Sequence, residues 1–101
     1  MKIPKSIQLF GQTIKTVYKD NLIDEDDSVG LACYRQLEIR LQSVDAKGRI
    51  RPASSQEQWY CHELVHFILE GMGEHKLRRD ERFVDLFGNL LHQALSTAVY
   101  K

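Results

Sequence analysis

Three residues within five positions can do chemistry together: His62, Glu63 and His66, in the run His62-Glu63-Leu64-Val65-His66. On a helix, residues four apart lie nearly one above the other, about 40° apart at roughly 100° per residue. Both imidazoles then converge on one point, which is what a zinc ion needs from a single helix. Glu63 lies about 100° round from His62, close to that point but displaced from it. A carboxylate there is suited to take a proton from a water polarised by the metal and to pass it to a leaving amine, instead of ligating. Amide hydrolysis is the chemistry these three residues imply.

A catalytic zinc ion takes three protein ligands and leaves a position for water, so two histidines are one short. A three-histidine set of the form HExxH-xx-G-xx-H would need glycine at 69 and histidine at 72, where the chain has Leu69 and Met72. The remaining candidates are His75, His92, Glu70, Glu74, Asp80, Glu81 and Asp85. Glu81 is the best of them, because Glu81 and Asp85 are again four apart, near the start of the next helix. One carboxylate can ligate while the other accepts the free ring N–H of a ligating histidine, with His62 as the expected partner of Asp85. Trp59 and Glu70 share the reactive face, as cleft wall and rim carboxylate or as plain packing and surface residues. Lys47, Arg49 and Arg51 read as a solvated loop and not as a ligand site.

Two helices must position these groups. Ser54 or Ser55 can cap the first, which runs to about Leu69 or Glu70 and is ended by Gly71 and Gly73. Cys61, Leu64, Val65, Phe67, Ile68, Leu69 and Met72 form its packing side. The second begins near Leu77 to Asp80 and runs to about Val99, with Glu81, Val84, Asp85, Gly88, Leu91, His92 and Leu95 in the stripe facing the first helix. Gly88 there allows two backbones to approach closely. The opposite stripe, Phe83, Leu86, Phe87, Leu90, Ala94 and Ala98, needs cover from the sheet, from loops or from another copy of the chain in a homo-oligomer.

The first half of the chain reads as strands. Ile7, Leu9, Ile14, Val17 and Tyr18 flank a turn at Gly11-Gln12. Val29 to Tyr34 and Leu37 to Leu41 can pair through Arg35-Gln36. Asp24 to Asp27 reads as a solvated loop or a short helical turn, and Ser43 to Ser55 as a loop. Strands first and helices second give an α+β fold: a small, mostly antiparallel N-terminal β-sheet, then an active-site helix and a C-terminal helix.

With 101 residues, 43% of them hydrophobic, residues 1–101 suffice for one domain around one core. The 14 basic and 14 acidic residues cancel, so no global field favours nucleic acid or an anionic membrane. No apolar run reaches the length of a signal peptide or a membrane span, and a cytoplasmic protein is the expectation. Cys33 and Cys61 lack CxxC spacing and are expected to be small buried side chains.

His62, Glu63, His66, Glu81 and Asp85 together resemble the gluzincin metallopeptidases, in which HExxH on one helix is followed by glutamate in an ExxxD motif on the next. Within that clan the chain is most similar to the minigluzincins and to short phage and prophage relatives of the ImmA/IrrE-type metallopeptidases, over roughly residues 29–95. The resemblance implies a minimal zincin-like scaffold holding Zn2+ on His62, His66 and Glu81, with Glu63 catalytic and Asp85 orienting a ligand. It also implies that the strand before the active helix, through the backbone of Leu31, Ala32 and Cys33, holds the substrate as an added antiparallel strand. Larger relatives carry a further subdomain with a tyrosine or histidine that stabilises the oxyanion. Tyr34, Tyr60 and His75 are conceivable donors here, none at a matching motif position.

The functional expectation is a zinc-dependent endopeptidase acting on peptide or unfolded protein, with no nucleic-acid or membrane partner. The alternative is a catalytically weak or latent zincin-fold protein serving as a zinc-binding or protein-interaction module.

Overall fold

The structure is a computed structural model that describes residues 1–22 and 29–101. The acidic run Asp24 to Asp27, read from sequence as a loop or short turn, lies outside the described residues.

Strands β1 (Ser6–Leu9) and β2 (Gln12–Tyr18) form the opening hairpin, with Ile7 opposite Ile14. Its turn is Phe10-Gly11, with φ of 52° and 75°, one residue earlier than the expected Gly11-Gln12. Two positive φ values match the twist of a two-residue hairpin. Phe10, a costly residue for that conformation, lays its ring where a Cβ on Gly71 would stand.

Strands β3 (Gly30–Cys33) and β4 (Glu38–Leu41) pair antiparallel across Tyr34–Leu37. The sheet order is β1-β2-β4-β3, and β2 runs parallel to β4 with Lys15 opposite Glu38. The α+β architecture is as expected, and the one parallel junction joins two antiparallel hairpins. It also leaves β3 at an edge.

Helix α1 spans Ala53–Met72, α2 spans His75–Arg79 and α3 spans Glu81–Thr97. The residue capping α1 is Pro52, with no side-chain cap, and not Ser54 or Ser55, which lie inside the first turn. Proline suits a helix start because it has no N–H to leave unpaired. Gly71 stays within α1. The helix ends at Gly73 (φ 74°), where the Gly73 and Glu74 N–H groups donate to the carbonyls of Glu70 and Leu69, the geometry that glycine makes cheap. The second long helix begins at the late end of the expected range, where the Asp80 carboxylate accepts the Phe83 N–H at 3.1 Å. That cap starts α3 at Glu81.

Helix α1 is covered on two sides. Towards the sheet, Ile14, Ile39 and Leu41 pack with Tyr60, Cys61 and Phe67; towards the other helices, Val65 and Leu69 pack with Val84. Cys61 is fully buried as expected, whereas Cys33, on β3, is only partly covered. Gly88 of α3 faces His62, and a Cβ there would lie 3.1 Å from the His62 Cα and 3.2 Å from its N. Backbone cannot give way as a flexible side chain can. Gly88→Val is therefore expected to destabilise the metal-free protein by about 1–3 kcal/mol, read from denaturant unfolding; an unchanged midpoint would mean that α1 and α3 are not in contact there.

Of the second stripe of α3, Phe83 packs on the Val65, Leu69 and Val84 cluster and the rest is open. Leu86, Phe87 and Leu90 are 55%, 49% and 66% exposed, and Met72, expected in the packing face of α1, is 59% exposed. The sheet packs against α1, and α3 packs mainly against the far side of α1. Among the described residues nothing covers Leu86, Phe87 and Leu90. Among the described residues no helix is long and apolar enough to cross a membrane.

The start of α1 is tied to α3 by Glu57, whose Oε1 lies 2.9 Å from His92 Nε2 and 3.2 Å from the Met1 amino group. The His92 bond, aided by the amino group, holds the Glu57 carboxyl below its ordinary range, against the opposing effect of burial. A carboxyl with a depressed folded-state pKa adds stability above its ordinary pKa, and that contribution is lost as pH falls through the folded value. The stability gap between wild type and Glu57→Gln should therefore be widest near neutrality and close below about pH 4. Unfolding curves of both metal-free proteins from neutral to acid pH measure it; a gap independent of pH would show that the Glu57 charge contributes nothing.

Candidate metal centre

Helix α1 presents His62, Glu63 and His66 with one donor atom each inside a 4.8 Å circle. The two imidazole centroids are 5.0 Å apart. From the first turn of α3, Glu81 reaches across both rings: Oε2 is 3.2 Å from His62 Nε2, and Oε1 is 3.2 Å from His66 Nε2. One turn further on, Asp85 Oδ1 lies 3.1 Å from His62 Nδ1. All five residues of the motif pair are thus in one place, and the Asp80 cap that begins α3 sets where Glu81 stands.

The donor set fits zinc. Bonds of about 2.0–2.1 Å in tetrahedral geometry leave neighbouring ligand atoms roughly 3.3 Å apart, and the two 3.2 Å separations are of that size. With Asp85 Oδ1 at its Nδ1, His62 would donate there and offer its Nε2 lone pair to a metal. His66 is not matched in this way: its Nδ1 is buried and has no partner among the described residues.

Burial pushes the Glu63 carboxyl up to about 8, the Glu81 charge adds to the rise, and a hydrogen bond from the Ala32 N–H opposes it. Burial also lowers the His66 pKa, against the pull of Glu81. A buried Glu63 carboxylate beside the solvent-facing charge of Glu81 favours a cation between them. Glu81 is 69% exposed, so the centre opens to solvent on the α3 side. Of the two carboxylates, Glu81 lies 3.2 Å from both Nε2 atoms, while Glu63, whose donor atom lies within 4.8 Å of those of the histidines, is held by the strand.

The edge strand lies against this centre. Gln42 N–H donates to Val29 O, which sets the alternation: Leu31 and Cys33 direct their peptide groups to Arg40 and Glu38 of β4, and Gly30 and Ala32 turn theirs outward. The expected backbone set of Leu31, Ala32 and Cys33 is corrected accordingly, since only Ala32 of the three faces the site. Gly30 was not singled out from sequence. A Cβ on it would stand 3.0 Å from Glu63 Oε2 and 3.2 Å from Trp59 Cε3; a lone glycine inside a strand is the signal that could have found it.

Trp59 lies beside His62, ring centroids 5.0 Å apart. With Gln58, His62, Asp85 and Asn89 it lines a cavity of about 230 Å³. Gln58 and Asn89 carry no motif and were not anticipated.

Other candidates are elsewhere. Glu70 meets Arg78 Nη1 at 3.1 Å and His75 Nδ1 at 3.7 Å, and His92 is held by Glu57. Tyr60 is buried in the core on the sheet side. Tyr34 packs edge-on to Phe67 at 5.1 Å beneath the Arg78 guanidinium. Arg49 and Arg51 are bound within their own loop, to the Asp45 carboxylate and the Gln42 carbonyl.

Fold and site define an α+β chain with a His-Glu-x-x-His helix and a carboxylate pair from α3 closing on it. Compared with protein-family models, curated proteins and solved structures, the chain matches none.

Proposed function

We propose that the chain is a zinc-dependent endopeptidase of gluzincin type, cytoplasmic, acting on peptide or unfolded protein. The observation that carries this reading is the Glu81 carboxylate lying 3.2 Å from both His62 Nε2 and His66 Nε2, with Asp85 behind His62. His62, His66 and Glu81 would hold the ion, which when bound supplies Lewis acidity and lowers the pKa of a coordinated water. Glu63 supplies the proton traffic. The Ala32 N–H keeps its carboxylate aimed, and the side chain accepts the proton of the attacking water and returns it to the leaving amine. β3 is the edge strand beside the centre, and an extended substrate laid along it would suit unfolded chains over folded ones.

A second reading, a weak or latent zinc-binding module, is favoured by His66 Nδ1, which has no partner among the described residues. One experiment separates them: count zinc per chain, then follow cleavage of an unfolded protein before chelation, after it, and after zinc is restored. The peptidase reading expects one zinc and cleavage that is lost and regained. Stoichiometric zinc without cleavage selects the second reading, and no zinc rejects both.

A further inference from the structure

The cavity beyond His62 has a chemical character of its own. Its five lining residues are Gln58, Trp59, His62, Asp85 and Asn89: an indole, two carboxamides, one imidazole and one carboxylate, with no lysine or arginine among them. Asp85 meets His62 through Oδ1 only, and its side chain is 65% exposed. Its second oxygen is therefore available to a group entering the cavity. The volume, about 230 Å³, suits one long side chain and excludes a folded segment.

We propose that this cavity is a subsite for a cationic side chain, arginine above all, on the substrate residue that follows the bond cut. The inference rests on the peptidase reading for its position and on the lining residues for its selectivity. A planar guanidinium can lie on the indole face of Trp59 while its N–H groups reach the Asp85 carboxylate and the side-chain carbonyls of Gln58 and Asn89. Lysine gains the charge contact but not the stacked, forked geometry. An acidic side chain would face Asp85 with no lysine or arginine in the lining to offset it, and an apolar one would gain nothing from the carboxylate or the two carboxamides.

The side of the bond follows from strand direction. Gly30, at the start of β3, lies over Trp59 and Glu63, and the chain continues past Cys33 to Tyr34, which packs on Phe67. A peptide added antiparallel to β3, as the resemblance to gluzincins implies, would enter near Tyr34 and leave over Trp59. The residue carried into the cavity is on the C-terminal side of the reacting carbonyl.

Trp59 is the only tryptophan in the chain, so its emission reports occupancy without any need for turnover. The zinc-loaded Glu63→Gln protein is titrated with acetyl-arginine amide and with acetyl-citrulline amide, which keeps the shape and lacks the charge. Arginine is expected to bind at least about 10-fold more tightly. Asn89→Asp should strengthen arginine binding several-fold and Asn89→Lys should remove the preference, both with zinc content unchanged. Equal binding of the two amides, or a preference indifferent to Asn89→Lys, overturns the proposal. Wild-type cut sites on an unfolded protein test the position: arginine directly after the cut is expected, and arginine before it overturns the assignment. Cleavage with no arginine preference removes the subsite and leaves the peptidase, whereas arginine-selective binding with no cleavage leaves the cation subsite and removes the peptidase reading.

Discussion

Glu63→Gln is expected to keep its zinc and to lose cleavage of an unfolded substrate by about 10²- to 10⁴-fold in kcat/KM. Glutamine preserves the shape of the side chain, so Gly30, Trp59 and the Ala32 N–H meet nearly the same neighbour. What it lacks is the capacity to take a proton and return it. His62, His66 and Glu81 are untouched, which is why metal content and activity should separate in this variant. The assay pairs zinc counting with the rate on one unfolded substrate. Loss of zinc and activity together would make Glu63 a ligand in place of Glu81, and undiminished cleavage would remove it from the chemistry altogether.

The reason this separation can be stated at all is that spacing on helices is informative. His62 and His66 four apart, and Glu81 and Asp85 four apart, each had to share a helix face, and facing those two faces requires only that the helices pack. Gly88 supplied that, because a helical glycine in a contact stripe implies close approach, and it is found 3.1 Å from the His62 backbone as measured to its missing Cβ. The α+β order was legible for a similar reason: period-two alternation around Ile39 and Ile14 differs from the helical pattern that follows.

What was not legible depends on long-range placement. Nothing local in β2 or β4 says that they pair in parallel, and without that junction β3 is not known to be an edge. The phase of β3 is set by the distant Gln42 N–H on Val29 O, so the outward pair could not be told from Leu31 and Cys33 by spacing. Pro52, two or three residues before Ser54 and Ser55, starts the helix in their place, since a proline there leaves no N–H unpaired. The second long helix starts at Asp80, the late end of the expected range, where the carboxylate caps the Phe83 N–H, and the short helix His75–Arg79 before it carried no signal of its own. The open stripe of Leu86, Phe87 and Leu90 shows that apolar periodicity marks what a helix can bury and not what the fold supplies to bury it. Gln58 and Asn89 are ordinary amides in sequence, and only the shared cavity with Trp59 and Asp85 gives them a role.

Replacing Glu81 tests the centre from the other helix. Glu81→Ala removes the one carboxylate that meets both Nε2 atoms and leaves two histidines, so zinc affinity should fall by well over about 100-fold, more than loss of an orienting partner costs. The matched control is Glu70→Ala on α1, one turn past His66 on the same face. Glu70 is engaged by Arg78 at 3.1 Å, and its loss should leave affinity within about 3-fold. Competition with a chelating dye at fixed pH gives both numbers. Because Glu81 stands at the solvent-exposed start of α3 with its side chain 69% exposed, alanine there should barely alter the stability of the metal-free fold, and a drop in affinity can be assigned to the lost ligand. If instead Glu70→Ala released the zinc and Glu81→Ala kept it, the third ligand would lie on α1, and the 3.2 Å contacts of Glu81 would be hydrogen bonds of the metal-free protein alone.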